Sequence, residues 1–160
     1  MTHYIGIDPG ASGGIALYDG NTLYASKCPQ KVGDMYALLE IYASRGDISQ
    51  TRVFIEKVWS FPSDSHKTAF SFGKNYGSWI AALEIMSLHY KMITPKAWQK
   101  YHATPKMEKK DRKNWLKAFA QDEVKKTGLS FRVTLNTSDA IMIALAAKGM
   151  WDEVAENETV

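Results

Sequence analysis

The first 27 residues alternate short apolar runs with turn residues, a pattern typical of consecutive short strands. Residues 4–7 form an apolar run that stops at the turn sequence Asp8-Pro9-Gly10. A glycine-rich link leads to a second run over residues 15–18. The hairpin signal Asp19-Gly20 then precedes a third run over residues 22–27. The pattern predicts a three-stranded meander with a loop crowded by glycine.

The rest of the chain alternates helical and strand patterns. Apolar residues at 35, 38, 39 and 42 have helical spacing, and residues 53–55 are typical of a buried strand that delivers Glu56 at its end. Further helices are predicted over about 67–89, 109–126 and 137–148, with a short strand at 91–94. The predicted order is βββ-α-β-α-β-α-α. Helical crossovers imply partly parallel pairing, so we expect an α/β protein with a mixed five-stranded sheet.

Length and composition indicate one soluble domain over residues 1–150, followed by an acidic tail over 151–160 that we expect to be frayed. The chain has 160 residues, of which 45% are hydrophobic. Its longest strongly apolar stretch, residues 140–147, is far shorter than the roughly 20 residues that span a bilayer. There is a single cysteine, Cys28, and the first residues carry no secretion signal. We therefore expect a cytoplasmic protein of a bacterium or a phage-infected cell, without a membrane partner.

Positive charge is concentrated in one segment. Residues 91–132 contain twelve lysines and arginines against four acids, a net charge of +8, whereas the last ten residues carry −4. A polyanion is the natural partner of such a segment. A solvated lysine-rich helix face would give the same pattern, so charge alone leaves both interpretations open.

Three carboxylates occupy positions that favour a metal site. Asp8 ends the first predicted strand, Glu56 ends the fourth, and Asp139 opens the last helix. Functional side chains gather at the carboxyl ends of strands in open α/β sheets, and carboxylates brought together there need a divalent cation. Each residue alone also has a structural explanation: Asp8 as a turn former, Glu56 as a surface strand end, and Asp139 as a first-turn residue favoured by the helix dipole.

Several segments together resemble the RuvC-type Holliday junction resolvases. Residues 4–14 resemble the opening motif of that family, residues 54–58 its second motif, and residues 138–144 its last helix. Residues 70–83, 93–100 and 109–113 are similar to phage-encoded and chloroplast members. The resemblance covers about residues 4–148.

The resemblance implies a ribonuclease H-like fold, a homodimer and two Mg²⁺ or Mn²⁺ ions per active site. The implied reaction is paired nicking of opposite strands at a four-way DNA junction, leaving 5′-phosphates. Asp8, Glu56 and Asp139 would be catalytic metal ligands. Lys100 matches a lysine near the active site of the similar enzymes and would stabilise charge on the transferring phosphate.

The sequence departs from the family pattern at Asn136. The family often has a fourth acid at this position, three residues before Asp139. An amide oxygen can still bind a metal ion, but it adds no negative charge, so we expect weaker binding of one ion than in a four-acid relative. The sequence is compatible with a natural variant and with a substitution that traps substrate.

The resemblance and the charge pattern also suggest DNA contacts. Trp59 lies three residues after Glu56, where bacterial relatives carry an aromatic residue that stacks at the opened junction, and Phe61 follows on the same loop. The candidate phosphate contacts are lysines: Lys57, Lys96, Lys100, Lys109, Lys110 and Lys113.

Other functions stay open at this point. Asn136 motivates a junction-binding protein with impaired cleavage. The same fold could also serve a nuclease that acts on RNA-containing substrates. An actin-like phosphotransferase is disfavoured because that fold generally needs two such domains, for which 160 residues are too few.

Overall fold

The computed structural model of the chain describes residues 1–59 and 62–156. In this part of the chain, five strands form one sheet of order β3-β2-β1-β4-β5. The strands β1 to β3 pair antiparallel, whereas β1 with β4 and β4 with β5 pair parallel. The bounds of β1 to β5 are His3–Asp8, Gly14–Tyr18, Leu23–Lys27, Thr51–Glu56 and His89–Ile93.

Five α-helices accompany the sheet within the described residues. The bounds of α1 to α5 are Val32–Ala43, His66–Ile85, Pro95–Tyr101, Lys109–Lys126 and Ser138–Met150. Short 3-10 turns cover Ile48–Gln50 and Trp151–Glu153. None of the helices in the described ranges is both long and apolar enough to cross a membrane.

The alternation of side chains along the central strands divides the interior into two cores. Ile5 and Ile7 of β1, with Val53 and Ile55 of β4, face one core, whereas Phe54 faces the other. The helices α1 and α2 complete the first core with Met35, Leu39, Trp79 and Leu83. The helices α3, α4 and α5 complete the second with Trp98, Leu116, Ala140 and Met142. The sheet is therefore the middle layer of a three-layer α/β domain.

Two predicted element bounds are wrong near the end of α2. The helix was expected to reach His89, but it ends at Ile85, and His89 is the first residue of β5. Ser87 has a positive φ of 52°, which stops the helix and turns the chain into the strand. The helix α3 was not predicted, so three helices rather than two follow β5.

The segment after α5 also differs from the prediction of a frayed tail. Trp151 stacks on Phe54 with ring centroids 5.3 Å apart. The buried Lys91 donates hydrogen bonds from Nζ to the carbonyls of Trp151 and Val154, and it forms an ion pair of 3.1 Å with Glu156. A buried ammonium needs such acceptors. Residues 151–156 are therefore fastened to the sheet, and Lys91, the first residue of the basic segment, faces the interior.

Candidate metal and DNA site

The fold brings two of the predicted carboxylates to the same edge of the sheet. Asp8 is the last residue of β1 and Glu56 the last residue of β4. These strands are parallel neighbours, and their register pairs Ile7 with Ile55 immediately before the two acids. Asp8 and Glu56 thus leave adjacent strands at the same level.

The third carboxylate is delivered by α5, which packs directly on β1. Asp139 is the second residue of this helix. At Gly6, an added Cβ would lie only 2.3 Å from the carbonyl oxygen of Ala140 and from the backbone nitrogen of Ala144. Real side chains do not approach backbone atoms so closely, so the helix can rest on the strand only because residue 6 is glycine. This contact brings the start of α5, and with it Asp139, close to the end of β1.

The three carboxylates perturb one another. Burial raises the pKa of Asp8 well above its usual value, and the charges of Glu56 and Asp139 raise it further, against an opposing effect of Lys113. Burial, with a smaller contribution from Asp139, raises the pKa of Glu56 to about 7, although a hydrogen bond from Trp98 opposes the shift.

The carboxyl group of Asp139 responds to the same environment. Burial raises its pKa, while a hydrogen bond from Ser138 and the charges of Lys113 and Arg112 oppose the rise. The bond runs from Ser138 Oγ to Asp139 Oδ1 over 3.2 Å. Three desolvated acids that repel one another are the arrangement that a bound cation would relieve.

The donor set suits a hard divalent ion held by pairs of carboxylates. Within residues 1–59 and 62–156, no three His, Cys, Asp or Glu side chains already converge on one metal position. Mg²⁺ is usually held by one or two carboxylates together with water and phosphate oxygens, so convergence of three is not required. The oxygens of Asp8, Glu56 and Asp139 fit this chemistry.

Asn136 lies in the turn before α5, three residues ahead of Asp139. Its Nδ2 donates a hydrogen bond of 2.8 Å to the carbonyl oxygen of Ser12, in the loop that follows Asp8 along the chain. The main-chain carbonyl oxygen of Asn136 packs against Gly14. A Cβ added at Gly14 would lie only 2.2 Å from that oxygen. The amide nitrogen is therefore engaged by Ser12, and the predicted role of the amide oxygen in binding a cation stays a prediction.

The sequence did not lead us to expect that Trp98, Ser138 and Arg112 act on the carboxylates, although Ser138 was a candidate N-cap of the last helix. Trp98 donates a hydrogen bond of 2.7 Å from Nε1 to Glu56 Oε2. The sequence position of each of these three residues could have indicated this role. Trp98 lies in one of the family-like segments, Ser138 directly precedes Asp139, and Arg112 belongs to the basic helix.

The predicted phosphate contacts lie on the surface of the protein. The six candidate lysines are all exposed, and Lys113 is the one whose charge acts on Asp8 and Asp139. Lys100 lies in the last turn of α3, two residues after Trp98. Its role in catalysis stays a prediction, as do the phosphate contacts of the other lysines.

Trp59 borders a cavity that also includes Glu56. The side chain of Trp59 is 54% exposed. The cavity has a volume of about 230 Å³, and its lining is largely apolar: Glu56, Lys57, Val58, Trp59, Phe72 and Pro95. An exposed aromatic ring beside a predicted metal ligand suits stacking against a base. Phe61, the second predicted aromatic contact, lies outside the described residues.

Comparison with solved structures gives the class of fold. A search by sequence finds no matching family model and no similar curated protein. The structure is similar to RuvC from Thermus thermophilus in complex with a Holliday junction substrate, with a TM-score of 0.65, 17% identity and 96% of each chain covered. It is also similar to another structure of Thermus thermophilus RuvC, with a TM-score of 0.62, 18% identity, and 95% of this chain and 96% of that one covered.

The chain therefore has a ribonuclease H-like α/β fold, and the predicted fold class is confirmed. More particularly, the fold is that of the RuvC structures over almost the whole chain. The finer resemblance to phage-encoded and chloroplast members stays a prediction.

Proposed function

We propose that the chain is a structure-selective DNA endonuclease that resolves four-way junctions by metal-dependent phosphodiester hydrolysis, leaving 5′-phosphates. The observation that carries this proposal is the proximity of three half-buried carboxylates, each with a raised pKa, at one edge of a RuvC-like sheet. The two structures compared above are of RuvC from Thermus thermophilus, and the first is in complex with a Holliday junction substrate.

Asp8, Glu56 and Asp139 would hold two Mg²⁺ or Mn²⁺ ions per active site, together with the amide oxygen of Asn136. Bound ions of this kind activate a water molecule and stabilise the leaving oxygen of the phosphodiester. The fold of the chain would hold these ligands in position through the ends of β1 and β4 and the start of α5. Lys113 and Arg112 offset negative charge near Asp139.

DNA binding would rest on the six exposed candidate lysines, of which Lys113 acts on Asp8 and Asp139, and on Trp59. The lysines would contact backbone phosphates without regard to sequence. Trp59 would stack on a base at the open centre of the junction, where unpaired or unstacked bases are exposed. Stacking of this kind contributes roughly 1–3 kcal/mol per base.

Paired cuts in opposite strands require two active sites, and one face of α2 supports a homodimer. The side chains of Phe70 and Ile85 are 77% and 73% exposed. Between them on the same face lie Gly73 and Gly77, where an added Cβ would meet nothing within 4 Å. Such a face allows close approach of a second copy of the helix.

The proposal is tested with end-labelled synthetic four-way junctions, linear duplexes and RNA–DNA hybrids, each incubated with Mg²⁺ or Mn²⁺. We expect symmetric nicks in opposite strands of the junction, with ends that a ligase can seal. Asp139→Asn should abolish cleavage and retain junction binding. The matched control is Asp34→Asn, an exposed aspartate in the first turn of α1, which should cut normally.

The second candidate is a junction-binding protein with impaired cleavage. It is favoured by Asn136, which stands where the family often has an acid. Binding of the junction without nicks in either metal would support this candidate and refute the first. Preferential cutting of the hybrid would refute both and indicate a nuclease for RNA-containing substrates.

A further inference from the structure

The indole of Trp98 has an apolar body in the core and a polar edge at the candidate metal site. Its ring is 1% exposed and belongs to the core that contains Phe54, Ile93 and Leu116. Its Nε1 donates a hydrogen bond of 2.7 Å to Glu56 Oε2. A buried indole N–H needs an acceptor, and here that acceptor is a predicted metal ligand.

The local sequence explains how Trp98 reaches Glu56 from another element. Glu56 and Ile93 are register partners at the ends of the parallel strands β4 and β5. The helix α3 then begins without a linker: Thr94 accepts a hydrogen bond from the Ala97 amide, and Pro95 occupies the first turn. This immediate start folds the helix back, so that Trp98 lies beside the end of β4.

The hydrogen bond restricts how Glu56 can bind a cation. Among the described residues, Trp98 is the donor that reaches this carboxylate, and it uses Oε2. The bond limits rotation of the carboxyl group and leaves Oε1 for a metal ion. Donors behind a ligating carboxylate orient it in this way in metalloproteins generally.

We propose that Trp98 is a positioning residue for the divalent ion: its indole N–H fixes Glu56 so that Oε1 is presented for coordination. This inference rests on the proposed function, because it assumes that Glu56 is a ligand. The opposing interpretation is that Trp98 is a core residue whose N–H merely needs an acceptor.

The chain contains a comparison residue for that opposing interpretation. Trp79 is also fully buried, and its Nε1 donates a hydrogen bond of 3.0 Å to Cys28 Sγ in the core on the other face of the sheet. Trp79→Phe and Trp98→Phe each remove one indole N–H bond and part of one buried ring. They differ in the acceptor, which is a thiol in one case and the Glu56 carboxylate in the other.

The test measures Mn²⁺ binding to the full chain in the absence of DNA, by the electron paramagnetic resonance signal of free Mn²⁺ at pH 8. We expect Trp98→Phe to raise the Kd by roughly tenfold, as is typical for loss of a partner behind a metal ligand. Trp79→Phe should leave the Kd unchanged. In a Glu56→Gln background, Trp98→Phe should cause no further loss, because Trp98 acts through Glu56.

The outcomes separate this inference from the proposed function. An unchanged Kd in Trp98→Phe, with normal binding by the parent chain, would overturn the positioning role and leave the endonuclease proposal intact. Absence of Mn²⁺ binding by the parent chain would overturn both. If Trp98→Phe does not fold, benzothienylalanine incorporated at position 98 alone keeps the ring shape and removes the donor, and the same criteria apply.

Discussion

Replacing Glu56 by glutamine should stabilise the metal-free protein at alkaline pH. Burial raises the pKa of Glu56 from the ordinary value of 4.5 to about 7. The folded chain therefore holds this proton more tightly than the unfolded chain does. Stability consequently falls as the pH rises from about 4.5 towards 7, and it stays at the lower level above that range. Glutamine is neutral at every pH, and its Oε1 can still accept the hydrogen bond from Trp98.

The raised pKa sets the size of the effect. Linkage between pKa values of 4.5 and 7 gives an advantage for glutamine of about 3 kcal/mol at pH 8. At pH 5 the same relation gives about 1 kcal/mol, because the unfolded carboxyl group is then only partly ionised. The predicted signature is thus a stabilising substitution whose effect grows with pH.

Urea unfolding at pH 5 and pH 8 in the presence of EDTA measures this difference in the free energy of unfolding. The matched control is Glu40→Gln, an exposed glutamate on α1, for which we expect little change at either pH. Adding Mg²⁺ at pH 8 should stabilise the parent chain more than the Glu56→Gln variant, since the ion takes over neutralisation of the buried charge. If Glu56→Gln does not raise the free energy of unfolding, or raises it equally at both pH values, the assignment of a raised pKa to Glu56 is refuted.

Three further substitutions test other parts of the structure. Gly6→Ala should lower the free energy of unfolding in urea by about 3 kcal/mol, since α5 must move away from β1. The control Gly33→Ala, at an open position of α1, should change it by less than about 1 kcal/mol. Equal losses in the two variants would contradict the close contact at Gly6. Lys113→Ala should reduce the slope of log K against log salt for junction binding by about 1, and an unchanged slope would exclude a phosphate contact. Phe70→Asp should shift a dimer to monomer in analytical ultracentrifugation, whereas an unaffected dimer would place the interface elsewhere.

The parts of the fold that sequence predicts well are those with local signals. Apolar runs bounded by turn residues identified all five strands, and lysine-rich amphipathic spacing gave the bounds of α4. The helix α3 has only seven residues, too few to show periodicity, although Thr94-Pro95 is a recognisable helix start. The positive φ of Ser87, which ends α2, has no comparable mark in the sequence.

The candidate site was predictable as far as it depends on strand ends. Asp8 and Glu56 could be placed together because parallel neighbours end at the same edge of a sheet. The bond from Trp98 to Glu56 could not, because it joins residues 42 positions apart and depends on the register of β4 and β5. The attachment of residues 151–156 to Lys91 could not be predicted from the sequence either, because no local pattern shows that Lys91 is buried and needs hydrogen-bond acceptors.

The attachment of residues 151–156 to Lys91 has a consequence for biosynthesis. Lys91 precedes Trp151 by 60 residues, so the ribosome delivers the edge strand long before the carbonyl groups that complete its environment. Until Trp151 and Val154 have been synthesised, adding β5 to the sheet would bury the ammonium group of Lys91 without its hydrogen-bond acceptors. The nascent chain can therefore assemble the meander early, whereas β5 obtains its buried acceptors only after Trp151 and Val154 have been synthesised.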